Sequence, residues 1–316
     1  VGDKLTGLSA PSEAVAPLAE QAAVSRGGLG DTAKAYLEVT KPVSVALLVF
    51  TAVAVMVVAG AAHPLSGGLV LQAVLAVTLA CAGANAVSCY VDRDLDAVMG
   101  RTRRRPVPAG RISPPARALY WGLFLFVLSL LLAWDLNPIA WATLWGGMLG
   151  YVVVYSLWLK RRSVWNIIVG GMAGGMPALF GWAAVAGELA LLPVLIAALV
   201  VLWIPNHIWS LAIFYRDEYA RVRVPMLPVV YDIRRALYWL LLTVILMVVL
   251  SVLIYFAGDW GPVYLGTALV LGAVALALSV HIYRYPERKK AWVLFKFSSP
   301  YLAVLFLSMM LDTWLR

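Results

Sequence analysis

The stretch "YVDRDLDAVMGRTRRRPVPAGR", Tyr90–Arg111, follows directly on "LVLQAVLAVTLACAGANAVSC", Leu69–Cys89. The first-named segment carries three carboxylates in five residues, Asp92, Asp94 and Asp96, and then Arg101, Arg103, Arg104 and Arg105. The second is apolar enough to lie in hydrocarbon. An apolar run of that length that ends in a charged cluster reads as a helix leaving a bilayer at its polar surface.

The rest of the chain fits that reading. It has 316 residues, 63% hydrophobic and 13% charged, with a mean hydropathy of +0.87. A soluble fold of this length has no means of hiding so much apolar surface. Nine runs reach bilayer-spanning length: 43–61, 68–91, 118–134, 138–158, 164–186, 189–214, 236–257, 262–283 and 293–312. They are too long and too evenly apolar for barrel strands, so an all-α integral membrane protein is expected. Nine transmembrane helices would surround a central cavity open toward the cytoplasmic side.

Charge sets the orientation. The N-terminal segment and the connections 93–117, 160–162, 216–235 and 284–296 hold 24 of the 25 Lys and Arg. The alternate connections "GAAHPLSG", "WDLNP", "AGELA" and "AGDWGP" hold none. The positive-inside rule places the N-terminus in the cytoplasm and the C-terminus outside, which an odd number of spans requires. The net charge of +9 follows from this asymmetry and from contact with anionic lipid, so nucleic acid is not an expected partner. Cys81 and Cys89 show neither disulfide nor zinc spacing. Residues 1–35, rich in Ala, Gly, Ser and Pro, read as a flexible cytoplasmic tail, and 36–316 as the membrane domain.

On a helix Asp92 and Asp96 share one face, which Asn85, Ser88 and Cys89 extend into the membrane. Their bland reading is pairing with the neighbouring arginines. Three acids are more than a helix end needs, and acids oppose the dipole at a C-terminus. A bound cation resolves the conflict, and oxygen ligands without Cys or clustered His suit Mg²⁺, which completes its shell with phosphate oxygens and water. Arginines suit phosphate too. Acids, metal and arginines at the mouth of an apolar cavity describe a grip for a polyprenyl diphosphate. A similar order of acids, arginines and prolines recurs in "YRDEYARVRVPMLPVVYDIRR" from Tyr215, four spans later, and hints at an internal duplication.

Three blocks carry a family resemblance: "YVDRDLDAVMGRTRRRP" from Tyr90, "YSLWLKRRSVWNIIVGGMAGGMPALFGWAAV" from Tyr155 and "NHIWSLAIFYRDEYARVRVPMLPVV" from Asn206. From about Lys34 onward the chain resembles the protohaem IX farnesyltransferases (haem O synthases), within the UbiA superfamily of intramembrane prenyltransferases. The resemblance implies Asp92 and Asp96 as Mg²⁺-diphosphate ligands, Arg101, Thr102, Arg105 and Pro106 as the loop beside them, and Tyr155 with Lys160 as a pair near the diphosphate. Asp217, with Glu218 beside it, matches a second acidic motif and a further metal ligand. His207 and Trp209 match the haem-synthase form of the sixth helix. There are departures: Cys89 and Ser88 stand where the family has Asn, leaving that work to Asn85, and Arg221 stands four residues after Asp217. Asn206 replaces the usual proline before the histidine.

The implied reaction joins farnesyl diphosphate to a vinyl group of haem b in a bacterial or archaeal cell membrane, with haem A synthase or a terminal oxidase as neighbours. Tyr90, Tyr151, Tyr155 and Trp158 are aromatic candidates to face an allylic cation. Asn166 either touches substrate or caps its helix. For His207, a hydrogen bond to haem is expected over axial ligation of the iron. His63 and His281 read as surface and helix-end residues. "GGMAGGM", Gly170–Met176, reads as a close-packing surface, and Pro177 and Pro205 as kinks beside the cavity. Rival readings are prenylation of a quinone precursor or a chlorin, a secondary transporter, and an assembly subunit. Transporters concentrate ionisable groups near the midplane, whereas these acids lie at helix ends.

Overall fold

The structure is a computed structural model and describes residues 28–315. It is all-helical among those residues. Helix α1 (Leu29–Glu38) takes up the end of the expected tail, and residues 1–27 lie outside the described residues. The long helices are α2 (Pro42–Ala59), α3 (Gly67–Val91), α6 (Pro138–Leu159), α7 (Asn166–Ala186), α8 (Leu191–Phe214), α11 (Ile233–Ala257), α12 (Pro262–Arg284) and α13 (Arg288–Trp314). These are the eight described helices long and apolar enough to cross a membrane. The expected third span is the shorter α5 (Ala116–Leu132), 17 residues long. Short helices α4 (Arg93–Val98), α9 (Arg216–Arg221) and α10 (Leu227–Val230) lie in the connections that the sequence reading left as loops.

Local chemistry explains the ends. Ser66 and Asn137 accept hydrogen bonds from the backbone N–H groups of Leu69 and Ala140, capping α3 and α6. Proline opens α2, α6 and α12, where its missing N–H costs nothing. Gly187, with φ of 74°, ends α7 in the left-handed region that glycine enters freely.

Helix α7 packs on α2, α6 and α8, and α8 packs on α11 and α13. Helices α3 and α5 lie together so closely that a Cβ on Gly122 would stand 2.7 Å from the Gly83 carbonyl oxygen and 2.8 Å from the Val87 nitrogen. Only a hydrogen at each crossing position allows that approach. The Gly170–Met176 stretch is indeed a packing surface: a Cβ on Gly170 would meet the Tyr155 ring at 2.5 Å, and one on Gly175 the Ala197 carbonyl at 3.0 Å. Pro177 and Pro205 lie inside α7 and α8, where each removes a backbone donor. Large apolar side chains such as Leu71, Phe124, Leu131, Val249 and Leu253 point outward, as helices solvated by lipid require.

One departure has no counterpart in the apolar pattern. The second half of α6, Leu149–Leu159, is π-helical, and the Lys160 N–H donates to the Tyr155 carbonyl five residues back, at 2.8 Å. In an α-helix five residues turn the chain to about 140° from the starting face. Widening the turn brings Lys160 back over Tyr155. Such segments occur mostly at functional sites.

Candidate functional site

A cavity of about 600 Å³ opens between α2, α3, α6, α7, α8 and α13. Its deep wall is apolar, with Val77, Leu144, Met148 and Phe180 among the lining residues. Its polar end carries Lys41, Asn85, Asp92, Asp96, Arg101, Arg105, Tyr155 and Lys160.

The acidic stretch is built by a break in the chain. Asp92 is the last residue at the α3 end and the residue before α4, so Asp94 and Asp96 stand in the first turn of a new helix. The expected conflict with a helix C-terminus is therefore confined to Asp92, and the other two acids lie at the favourable end of α4. The Asp96 N–H still donates to the Asp92 carbonyl at 2.9 Å, which keeps both side chains on one face. Each is 4% exposed, and both line the cavity.

Cations hold them. Lys160 Nζ donates to Asp92 Oδ2 at 2.6 Å, and Arg105 Nη1 reaches Asp96 Oδ1 and Oδ2 at 3.0 and 2.8 Å. Thr102 Oγ1 donates to the Asp96 carbonyl at 3.1 Å, pinning the basic loop to α4. Asp94 points away and is gripped by both Arg161 nitrogens at 2.6 Å. These hydrogen bonds hold its carboxyl below the usual carboxylate range. Arg161, read from sequence as an orientation charge, thus ties α4 to the α6–α7 connection.

A second network runs behind Asp92. Ser88 Oγ lies 3.3 Å from Asp92 Oδ2 and 3.2 Å from the Tyr151 hydroxyl. That hydroxyl donates to Asn85 Oδ1 at 3.4 Å and accepts from Lys41 Nζ at 3.3 Å. Ser88 is therefore the residue that touches Asp92, Asn85 acts through Tyr151, and Cys89 turns toward the Val39 carbonyl. Tyr151 and Tyr155 stack, with centroids 5.9 Å apart and planes 11° apart.

The bland reading, pairing with the arginines that follow, holds for Asp96 with Arg105, while Asp92 and Asp94 pair with Lys160 and Arg161, and these pairings coexist with a residual opening. Asp92 Oδ1 is buried without a hydrogen-bond partner. It lies on the same cavity-facing helical face as Asp96. An orphaned carboxylate oxygen beside a second carboxylate is the donor set Mg²⁺ takes from protein, with water and phosphate as the rest. No group of three or more His, Cys, Asp or Glu suited to a metal occurs among the described residues, so no all-protein cage is formed.

Four expected site residues are not brought to the cavity. Asp217 has a side chain 65% exposed and is paired with Arg288 at 2.6 and 2.9 Å, which places this expected metal ligand on the surface. Its own hydrogen bonds from Arg288 hold its carboxyl low. Glu218 accepts from the Arg101 backbone N–H at 3.2 Å and braces the basic loop. Trp209 is buried in the core and is not among the residues that line the cavity. Asn166 is fully buried and donates to the Ser163 carbonyl at 2.7 Å, but its side chain caps no backbone N–H of α7 and its Oδ1 has no hydrogen-bond partner. His207 does line the cavity.

Lys41 and Tyr219 are polar cavity residues that the sequence reading did not single out. Lys41 had only the weight of an orientation charge; its backbone has φ of 55° just before Pro42, and such a conformation in a non-glycine residue is costly and concentrates at functional sites. Tyr219, on α9, lines the cavity, and Arg101 Nη2 donates to its hydroxyl at 3.5 Å. The α3–α4 and α8–α9 corners also repeat one plan, a long helix broken into a short one with acids in its first turn.

The chain matches the model of the UbiA prenyltransferase family over residues 47–308. It is 82% identical, over the full length of both chains, to a protein of Desulforudis audaxviator (strain MP104C) named protoheme IX farnesyltransferase. A protein of the same name from Symbiobacterium thermophilum is 42% identical over 90% of this chain and 95% of its own. Among solved structures, one described as a digeranylgeranylglyceryl phosphate synthase in membranes superposes with a TM-score of 0.72 at 20% identity, over 90% of this chain and 99% of that one. A UbiA homologue from Archaeoglobus fulgidus bound to GPP and Mg²⁺ gives 0.63 at 18% identity, over 87% and 99%. The chain belongs to the UbiA prenyltransferase family.

Proposed function

We propose that this UbiA-family chain transfers the farnesyl group of farnesyl diphosphate to a vinyl group of haem b, with addition of water, giving haem O and diphosphate. The observation that carries the reading is the pair Asp92 and Asp96, both buried, both on the cavity, one with an oxygen left unpartnered. The relatives named protoheme IX farnesyltransferase favour haem over a quinone precursor as acceptor.

Asp92 and Asp96 would hold Mg²⁺. When bound, the ion supplies positive charge to the diphosphate as the allylic C–O bond breaks. Lys160, Arg101 and Arg105 surround the same place and bind the leaving diphosphate, a form of stabilisation strongest where water is excluded. Tyr151 and Tyr155 stack beside the carboxylates and present π-faces toward the allylic carbon. The farnesyl tail runs along the apolar wall of α3, α6 and α7. Val77 lies 15 residues before Asp92 on α3, so this wall reaches roughly 22 Å from the acids. Haem occupies the side lined by Trp203, His207 and Phe295 of α8 and α13. The apolar walls keep water from the cation until the vinyl carbon has attacked.

We read α5 as the ninth span: its 17 residues reach about 25 Å, and Leu123, Phe124, Val127 and Leu131 are exposed along it. The basic connections then lie in the cytoplasm with the N-terminus and the cavity mouth, and the C-terminus lies outside.

The test is incubation of the purified protein with Mg²⁺, haem b and farnesyl diphosphate. Diphosphate release and a haem heavier by a farnesyl group plus water support the reading. Product formed only with a phenolic acceptor transfers the assignment to quinone-precursor prenylation.

A further inference from the structure

His207 sits inside α8 and lines the cavity, yet it takes no part in the diphosphate site. Its ring stacks on Trp203 at 4.7 Å with planes 21° apart, and Phe295 of α13 lies 4.5 Å away. Its Nδ1 lies 2.7 Å from Ser298 Oγ. With one ring face on Trp203 and Nδ1 on Ser298, the edge left for the cavity is that of Nε2.

The protons on this contact can be assigned. Ser298 Oγ also lies 2.7 Å from the Phe295 carbonyl oxygen, to which it donates. A hydroxyl has one proton. If it were spent on His207, two oxygens would face each other at 2.7 Å with nothing between them. With the serine proton on the Phe295 carbonyl, His207 Nδ1–H donates to Ser298 and both contacts are satisfied. The Trp203 indole N–H donates to the Ser298 carbonyl at 2.7 Å, which fixes the same turn of α13 against α8. Nε2 therefore carries the lone pair.

A lone pair accepts and does not donate. On haem b the propionates are acceptors, the vinyl and methyl groups are apolar, and the four pyrrole nitrogens already face the iron. The iron alone is complementary to Nε2. We propose that His207 Nε2 is an axial ligand of the iron of the acceptor haem, with Ser298 as the positioning residue that fixes its tautomer. An imidazole whose second nitrogen is held by an oxygen acceptor is the usual arrangement of a metal-ligating histidine. This replaces the hydrogen bond to haem expected from the sequence, and it rests on haem being the acceptor.

The test needs no turnover. Ferric haem b and, separately, metal-free protoporphyrin IX are titrated into the purified protein, His207→Ala, the volume-keeping His207→Gln, and Ser298→Ala. The expected result is a histidine-ligated Soret band with the unaltered protein, lost in both His207 variants and restored in His207→Ala by added imidazole. Ser298→Ala keeps the band and weakens haem binding by about tenfold or more, while metal-free protoporphyrin binding is the same in all four proteins. An unchanged Soret band in His207→Gln and His207→Ala overturns ligation. If the unaltered protein takes up metal-free protoporphyrin and haem equally and without His207 dependence, ligation fails and the haem reading stands. If it takes up neither, both fail.

Discussion

Lys160 Nζ stands 2.6 Å from Asp92 Oδ2, joining residues 68 positions apart at the polar end of the cavity. The contact exists because α6 widens into a π-helix just before Lys160 and because α3 breaks at Asp92. Removing one partner of such a pair leaves a buried charge uncompensated. Lys160→Met is expected to lower kcat about a hundredfold or more, the scale for loss of one charge-stabilising donor. Lys160→Arg should recover part of it. Steady-state diphosphate release at saturating farnesyl diphosphate measures this, and wild-type kcat in Lys160→Met would remove Lys160 from the site.

Gly122→Ala probes the α3–α5 crossing. Its Cβ would stand within 2.8 Å of backbone atoms of Gly83 and Val87, which have no rotamer to give way. Separation of the helices should cost about 1–3 kcal/mol. A lower Tm in detergent is expected, with activity falling as well, because α3 ends at Asp92. A Tm equal to that of the parent protein would show that the crossing is looser than described.

Phe180, with Leu144 beside the deep end of the cavity, closes the apolar wall. Phe180→Leu should open that end and raise the kcat/KM for geranylgeranyl diphosphate relative to farnesyl diphosphate by about tenfold, the scale of small changes in a hydrophobic pocket. Competition between the two donors reads the ratio. An unchanged ratio with lowered stability would make Phe180 a packing residue only.

Much of the fold was legible because lipid imposes a coarse rule. Spans must be apolar for about 20 residues, and that length survives uncertain ends. The runs match the helices to within a few residues, with α5 the short one. Asp92, Asp96, Arg101 and Arg105 were legible because charge beside a membrane segment is costly without a purpose. The misses have physical reasons. The π-turn that brings Lys160 over Tyr155 leaves no mark in an apolar pattern, so that pair was reached through resemblance alone. Trp209 and Asn166 are as apolar-facing or as polar as any site residue, and only the rotation of α8 and the start of α7 decide that they are buried. Asp217 resembles Asp92 in sequence context, yet Arg288, 71 residues further on, takes it on the surface.

The central claim is that Asp92 and Asp96 together seat the metal-bound diphosphate. Its most direct measurement is Mg²⁺-dependent turnover of farnesyl diphosphate with haem b by Asp92→Asn and Asp96→Asn, each checked for an unchanged Tm. Both variants should retain the fold and lose turnover. Near-normal Mg²⁺-dependent activity in either one would contradict the claim.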